Sequence, residues 1–357
     1  MTKQGTIVLP IAGRSSRFPG LRPKWMLTAP TGELMLEKSL ASVADWRNRR
    51  VVIGALAEHL DGKGGRGALQ RALGDAVEIV TFEDQTAGPA ETVAEILMRA
   101  DVQGPIFIKD CDSWFVPREN VFSDCVCYAD LRQTGEVRNI AAKSFLHLNE
   151  NNLLLGIIEK NVSSNYISVG GYGFHDAHVF LDSYRRLLAS NHEGEPFVSH
   201  VILDAIRQGS VFRGINTDGY VDVGTLEAWN RFREDLGLYI VDLDGVVLRN
   251  AGQYMPPLWD DPDQALPGNV AALKAMIARG AQIIFVTARP ERYREKTEAF
   301  LREQGLSWHA AVFGVNHAAR TLINDFAPSN PFPSAVAINL VRNGDDLSTM
   351  LPSAVQR

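Results

Sequence analysis

The stretch Ile7-Val-Leu-Pro-Ile-Ala-Gly13, continued by Arg14-Ser-Ser-Arg17-Phe18 and then by Leu21-Arg-Pro-Lys24-Trp-Met-Leu27, decides the reading of this chain. An apolar run of strand type ends at Gly13. A tight turn of small residues follows, carrying Arg14, Ser15 and Arg17, with Lys24 shortly after. Successive backbone N–H groups in such a turn point outward together and form a concave anion site. A guanidinium adds forked donors and an ammonium adds a point charge, both suited to phosphate. The stretch predicts a triphosphate cradle, with Ala12, Gly13, Arg14 and Ser15 against the nucleotide. Its place at the end of the first strand is where open α/β sheets hold their ligands.

No Gly-Lys-Ser/Thr closes this turn, so it is not a Walker loop, and it lacks the three-glycine spacing of a dinucleotide fingerprint. It resembles the sugar-phosphate nucleotidyltransferases, whose signature runs Gly-x-Gly-x-Arg and, after a short gap, Pro-Lys-x-Leu. Gly13, Ser15 and Arg17 match the first part; Pro23, Lys24 and Met26-Leu27 match the second. Ser15 replaces the second glycine, a departure that tightens the dihedral demands on the loop. The resemblance implies a three-layer mixed-sheet fold and makes Arg17 and Lys24 catalytic cations. The plainer alternative is a basic surface turn after a strand.

Composition bounds the rest. The 357 residues suffice for two domains at roughly 150 residues each. Hydrophobic residues make up 45% and charged residues 22%, the balance of a soluble globular protein. A net charge of -6 argues against a nucleic-acid or anionic-membrane partner. Cys111, Cys125 and Cys127 form no disulfide framework and have no metal-ligand spacing, so buried reduced thiols in a cytoplasmic protein are expected. No leader precedes Ile7 and no apolar run reaches membrane-span length, so a cytoplasmic location is expected. The partners expected are small molecules, with homo-oligomerisation left open.

Along the chain, residues 32–46 read as a turn and then a helix, and 51–54 and 77–82 as strands. Residues 61–66 read as a loop and 89–100 as a helix. In the resembled family a Gln-x-x-Gly-x-Ala stretch lies along base and ribose; Gln85, Gly88 and Ala90 match it. Residues 105–115, Pro-Ile-Phe-Ile-Lys-Asp-Cys-Asp-Ser-Trp-Phe, bring apolar residues into Asp110 and Asp112. If the strand continues, period-two spacing puts both carboxylates on one face. Such a pair suits Mg²⁺, a hard cation that shares oxygen ligands between protein and phosphate. By the resemblance, Asp112 is the metal ligand and Asp110 an extra carboxylate.

Residues 137–145 and 153–159 predict further strands. Glu159-Lys160 resembles the family's element that touches the sugar or alcohol of the substrate. The small-residue strand 169–174, with Gly171, allows a ligand close to the backbone. Residues 175–189 and 196–208 read as helices. Asp222-Val-Gly224-Thr225-Leu-Glu227 then resembles the family's Asp-x-Gly-Thr-Pro-Glu, whose Asp is the second metal ligand; Leu226 replaces the proline.

The chain then starts again. Leu238-Tyr-Ile-Val-Asp242-Leu-Asp244-Gly runs a strand into two acids and resembles the haloacid dehalogenase (HAD) superfamily, mostly phosphatases. One carboxylate attacks phosphorus and another, two residues on, protonates the leaving oxygen. By the resemblance Asp242 is nucleophile and metal ligand, and Asp244 acid/base and metal-associated. Residues 281–289 read as a strand ending at Thr287, the matching phosphate-binding hydroxyl; Arg289 has no assigned role. Residues 322–325 read as a strand ending in the metal carboxylate Asp325. Arg320 stands where a basic phosphate-binding residue is expected, usually a lysine. Little room remains for a cap domain. Residues 269–279 read as a helix and 335–341 as an edge strand; those beyond 343 look loosely held.

The expected architecture is α/β: a nucleotidyltransferase domain over residues 1–235 and a smaller Rossmann-like HAD domain over 236–357. The implied chemistry is Mg²⁺-dependent nucleotidyl transfer from a triphosphate to a phosphorylated sugar, polyol or amino alcohol, or to a phosphonate. Pyrophosphate is released, and a phosphatase step is added, one Mg²⁺ per domain. Two such steps suit surface-polysaccharide precursor synthesis. A glycosyltransferase, from Asp110-x-Asp112, and a non-catalytic module on degenerate enzyme folds stay open as alternatives.

Overall fold

Val8 belongs to one layer of buried apolar side chains, while its neighbours Ile7 and Leu9 belong to another. That alternation is the period of a strand buried on both faces, and it makes β1 (Thr6–Pro10) the spine of a sheet. The computed structural model describes residues 5–74, 77–134, 137, 139–190, 194–250, 259–325 and 334–351. Two compact units divide the chain, Met1–Ala228 and Trp229–Arg357.

In the first unit β1 is followed by α1 (Met35–Ala41), β2 (Arg50–Leu56), α2 (Gly65–Leu73), β3 (Val77–Phe82), α3 (Pro89–Arg99) and β4 (Ile106–Lys109). Then come β5 (Ser113–Pro117), β6 (Cys125–Asp130), β7 (Ser144–Leu148), β8 (Leu154–Glu159) and β9 (Tyr166–Phe174). After α4 (Ala177–Ala189) and α5 (Val198–Arg207) the unit ends in β10 (Arg213–Asp222) and the start of α6 (Leu226–Asp235). The sheet order is β3-β2-β1-β4-β9-β6-β10-β5, with β7 and β8 branching from β9. Pairings β1–β2, β1–β4, β2–β3 and β6–β10 are parallel; β4–β9, β6–β9 and β5–β10 are antiparallel. Two reversals across β9 leave β4 and β10 pointing the same way, so Lys109 and Asp222 end at one edge. Helices α3, α4 and α5 cover one face and α1 with Trp25 the other. The result is a three-layer α/β unit with a large mixed sheet.

The second unit carries β11 (Leu238–Asp242), α7 (Pro267–Arg279), β12 (Gln282–Val286), α8 (Arg294–Glu303), β13 (Ala310–Val312) and α9 (Leu347–Met350). The strands form a parallel sheet in the order β11-β12-β13. Leu243, Val247, Leu273, Phe285 and Leu301 make its core.

Several sequence expectations are corrected. The strand of residues 106–109 does not run on to Asp112; residues 111–112 form a turn before β5. Residues 58–62 form a π-turn leading into α2, where a loop was expected. The strand expected from residue 137 begins at Ser144, after a 3₁₀ turn at Ile140–Ala142. Residues 322–325 and 335–341 carry no strand pairing; Ile323 is 91% exposed. Apolar β-formers make a strand only where a neighbour accepts their hydrogen bonds. The tail to residue 351 is docked, because Leu347 and Leu351 enter the core and Leu347 N–H donates to Asn269 at 2.9 Å. Residues 255–258 of the expected Pro-rich span lie outside the described residues, as do 326–333, which hold the Pro-rich start of the tail, and 352–357.

Candidate functional site

The loop after β1 is held from both ends. Ile11 N–H extends the β1–β2 pairing to Gly54 at 2.9 Å, and Phe18 N–H returns to the Ser15 carbonyl at 2.8 Å. Ser15 adopts a left-handed φ of 56°, a region that costs a side chain. Its hydroxyl accepts the backbone N–H of Lys24 at 2.9 Å. The serine therefore keeps the glycine-like bend and adds a tie that glycine lacks. Ala12, Gly13, Arg14, Ser15, Arg17 and Lys24 all line one cavity, with Arg14 and Arg17 exposed on the loop.

Opposite stands the turn between β4 and β5. Lys109 is fully buried and donates to the carbonyls of Asp110 and Ser113, each at 2.7 Å, and to Ser113 Oγ at 3.2 Å. Burial drops its ammonium to about 8, against the pull of Asp110 and Asp112. Ser39 Oγ also donates to the Asp110 carbonyl at 2.7 Å. This clamp presents Asp112, whose Oδ2 pairs with Lys24 Nζ at 2.6 Å. Burial opposes the charge on both groups. The partners outweigh it, so Asp112 lies well below the usual carboxylate range and Lys24 above the usual ammonium range. Burial and then the Asp112 charge raise Asp110 to about 6.

Asp222 closes β10 beside this turn. Val223 N–H donates to the Asp112 carbonyl at 2.9 Å, and Asp222 pairs across the ladder with Ser113. Gly224 N–H donates to Asp222 Oδ1 at 3.0 Å. A Cβ on Gly224 would lie 2.9 Å from Asp112 Oδ2 and 3.2 Å from Asp222 Oδ1. The two carboxylates thus converge on a gap that only glycine leaves open. Asp222 Oδ2 meets Lys143 Nζ at 2.5 Å. Among the described residues no three acid, imidazole or thiol side chains form a metal cage. Two carboxylates over such a gap do fit Mg²⁺, which keeps waters and takes phosphate oxygens for the rest of its shell.

The remaining walls follow the same logic. Gln85 and Gly88 line the cavity; a Cβ on Gly88 would come within 2.8 Å of the Pro196 carbonyl. Glu159, at the end of β8, accepts Ser144 Oγ at 2.7 Å and also Ser199 Oγ. Lys160 has a φ of 53° and sits 4.6 Å over the Phe197 ring. Gly171 is corrected: its Cβ position faces Phe115 and Phe107 in the core, and it does not line the cavity. Gly170 lines it instead. Its φ is 83°, and a Cβ there would strike the Asp110 carboxylate at 2.6 Å.

The second unit holds its own cavity, lined by Asp242, Asp244, Arg289, His317, Arg320 and Arg342 among others. Asp242, at the end of β11, takes the Arg320 fork at 3.0 and 3.2 Å. Burial raises its carboxyl above the ordinary value in spite of that arginine. Asp244 accepts Thr287 Oγ1 at 3.3 Å and Arg289 Nη2 at 2.8 Å. Arg289, 2% exposed, also grips Asp263 at 2.7 and 3.1 Å. Thr287 and Asp325 are corrected, since neither lines this cavity: Thr287 is fully buried with its hydroxyl on Asp244, and Asp325 lies on a segment that forms no strand beside β11.

Sequence reasoning missed Lys143, Lys109 and Gly170 and left Arg289 without a role. Arg289 follows a strand end within three residues, which was a usable signal. Lys143 had none, since its partner lies far along the chain.

No protein-family model matches the sequence, and no curated protein is significantly similar to it. Solved structures share the fold of about two thirds of the chain. One is a nucleoside-diphosphate-sugar pyrophosphorylase from Vibrio cholerae RC9, 23% identical, covering 64% of this chain and 99% of that one with a TM-score of 0.55. Another is an inositol-1-phosphate CTP transferase from T. maritima, 14% identical, covering 66% of this chain and 98% of that one with a TM-score of 0.50. The described helices include none long and apolar enough to cross a membrane.

Proposed function

We propose that residues 1–235 transfer a nucleotidyl group from a nucleoside triphosphate to a phosphorylated sugar, polyol or amino alcohol, or to a phosphonate, releasing pyrophosphate. The observation that carries this reading is the convergence of Asp112 and Asp222 on one gap, each facing a lysine, across from the Arg14–Arg17 loop. In-line transfer asks mainly for positioning and charge neutralisation. The acceptor's phosphate or phosphonate oxygen attacks the α-phosphorus. Arg17 holds the departing pyrophosphate, Lys24 contacts the reacting phosphates, and Gln85 and Gly88 lie along base and ribose. Glu159, fixed by two serines, and Lys160 receive the acceptor. Asp112 and Asp222 would hold Mg²⁺, which neutralises phosphate charge when bound. Incubation with each of four triphosphates and a panel of sugar and alcohol phosphates, read as pyrophosphate, tests this. Release from at least one pair, lost in Asp112→Asn, is expected; no release from any pair ends the reading.

For residues 236–357 the reading is a HAD-type phosphomonoesterase. Asp242 is the nucleophile, Asp244 the acid/base, Arg320 binds phosphate, Thr287 positions Asp244 through its hydroxyl, and Asp242 with Asp244 would hold Mg²⁺. Two activated-metabolite steps on one chain suit surface-polysaccharide precursor synthesis in the cytoplasm. A second reading, phosphate binding without hydrolysis, is favoured by the grip of Arg289 on Asp244. Phosphatase assays on wild type and Asp242→Asn separate them: a rate lost in the variant supports hydrolysis, and equal rates remove the nucleophile.

A further inference from the structure

Lys143 belongs to no recognised motif, yet it occupies one of the two acids on which the site converges. It follows the 3₁₀ turn Ile140–Ala142 and stands just before β7. Its backbone carbonyl accepts the N–H of Lys160 at 3.0 Å, and the next residue, Ser144, pairs with Glu159 across β7–β8. Lys143, Glu159 and Lys160 therefore come as one block at the open end of that hairpin. The Lys143 and Asp222 side chains are each 20% exposed, so the pair lies on the cavity wall and not in bulk solvent. Asp112 with Lys24 and Asp222 with Lys143 make a cluster of two acids and two ammonium groups with no net charge.

We infer that Lys143 is a phosphate-binding residue that Asp222 holds in reserve. This inference rests on the nucleotidyl-transfer reading and deepens it. A cation taken up in the gap competes with Lys24 for Asp112 Oδ2 and draws on the same Asp222 carboxylate whose Oδ2 holds Lys143. A released ammonium on a cavity wall needs another anion, because an unpaired half-buried charge is costly. The phosphate oxygens that complete a Mg²⁺ shell are the anions supplied at that point. Lys24 lies on the side of the Gly13–Arg17 loop. Lys143 lies on the side of Glu159 and Lys160. Lys143 thus meets the phosphate of the acceptor, and the pocket selects an acceptor that carries one.

The test uses the full-length protein, with Lys143→Met, Lys143→Arg, Asp222→Asn and, as a distant control, Lys63→Met. The first arm titrates Mg²⁺ alone and reads the melting temperature. Lys143→Met is expected to reach half of its stabilisation at about tenfold lower Mg²⁺ than wild type, since the competing ammonium is gone. The second arm titrates inorganic phosphate at saturating Mg²⁺, as a stand-in for the single phosphate of the acceptor. Lys143→Met is expected to bind it about tenfold more weakly, with Lys143→Arg and Lys63→Met close to wild type. Unchanged phosphate affinity in Lys143→Met overturns the inference whatever the metal arm shows. A wild-type Mg²⁺ response that vanishes in Asp222→Asn but is unaltered in Lys143→Met overturns it while leaving the nucleotidyl-transfer reading intact. If no variant responds to Mg²⁺, both fail together.

Discussion

Gly13 and Gly170 show how differently two glycines in one cavity are constrained. A Cβ on Gly13 would meet nothing within 4 Å, so the open loop and not packing is what this position provides. Gly170 sits inside β9 with φ 83° and would press a Cβ against the Asp110 carboxylate at 2.6 Å. Gly170→Ala is expected to lose about 1–2 kcal/mol from the left-handed backbone alone, with the clash in addition. Gly13→Ala is expected to stay within about 0.5 kcal/mol of wild type. Urea unfolding of the two variants checks both statements, and equal midpoints would contradict the assigned roles. Asp110 accounts for the difference in sensitivity. Its carboxyl, raised to about 6 by burial and then by Asp112, lies where a Gly170 Cβ would stand.

At the scale of elements, the parallel run of β4 and β10 turns distant motifs into one site. Only part of that was legible: Asp112 follows an apolar run that ends at a sheet edge, whereas residues 213–222 hold too few apolar side chains to read as a strand, and Asp222 was reached through the resemblance alone. How Asp110 and Asp112 are presented was not legible. Period-two spacing holds only while the strand lasts, and β4 stops at Lys109, whose buried ammonium binds the turn carbonyls instead. Leu322–Asp325 misled for the opposite reason, since apolar composition cannot show whether a partner strand is present. The tail misled because its polar anchors lie far back in the chain: Asp345 accepts the N–H groups of Gly268 and Asn269, and one asparagine adds three more bonds. Asn269, fully buried in α7, donates to the carbonyls of Val246 and Gly344 at 2.7 and 2.8 Å and accepts Leu347 N–H at 2.9 Å. Asn269→Ala leaves one buried backbone group, the Leu347 N–H, unpaired at about 1–3 kcal/mol, and removes the bonds to two half-buried carbonyls. The variant is expected to release α9 and expose the tail to limited proteolysis, with Leu347→Ala doing so less. A tail still resistant to protease in Asn269→Ala would show that packing and the Asp345 bonds hold it.

For the molecule as a whole, the placement of its three thiols makes alkaline pH a selective probe. Cys111, Cys125 and Cys127 are all buried in the first unit, beneath the sheet that carries the Asp112–Asp222 edge. Burial pushes Cys111 and Cys125 up to about 12 and Cys127 well above its ordinary value near 9. The folded chain therefore keeps protons that the unfolded chain gives up. With more protons on the native state, stability is full below pH 9 and falls as pH rises from 9 towards 12. Three such thiols, offset by Lys109, whose buried ammonium gives up its proton at about 8 while the unfolded chain keeps it, approach a net slope of about 2.7 kcal/mol per pH unit once the unfolded thiols are fully ionised. Thiol-reactive dye at pH 8 is expected to label none of the three cysteines until urea unfolds the first unit. The urea midpoint read by that labelling should fall steadily between pH 9 and 10, while a Cys125→Ala/Cys127→Ala double variant should show a flatter profile. Parallel profiles for the double variant and wild type would place the alkaline loss in other groups. The buried tyrosines Tyr172 and Tyr220 begin to matter only nearer pH 10, where free tyrosine ionises.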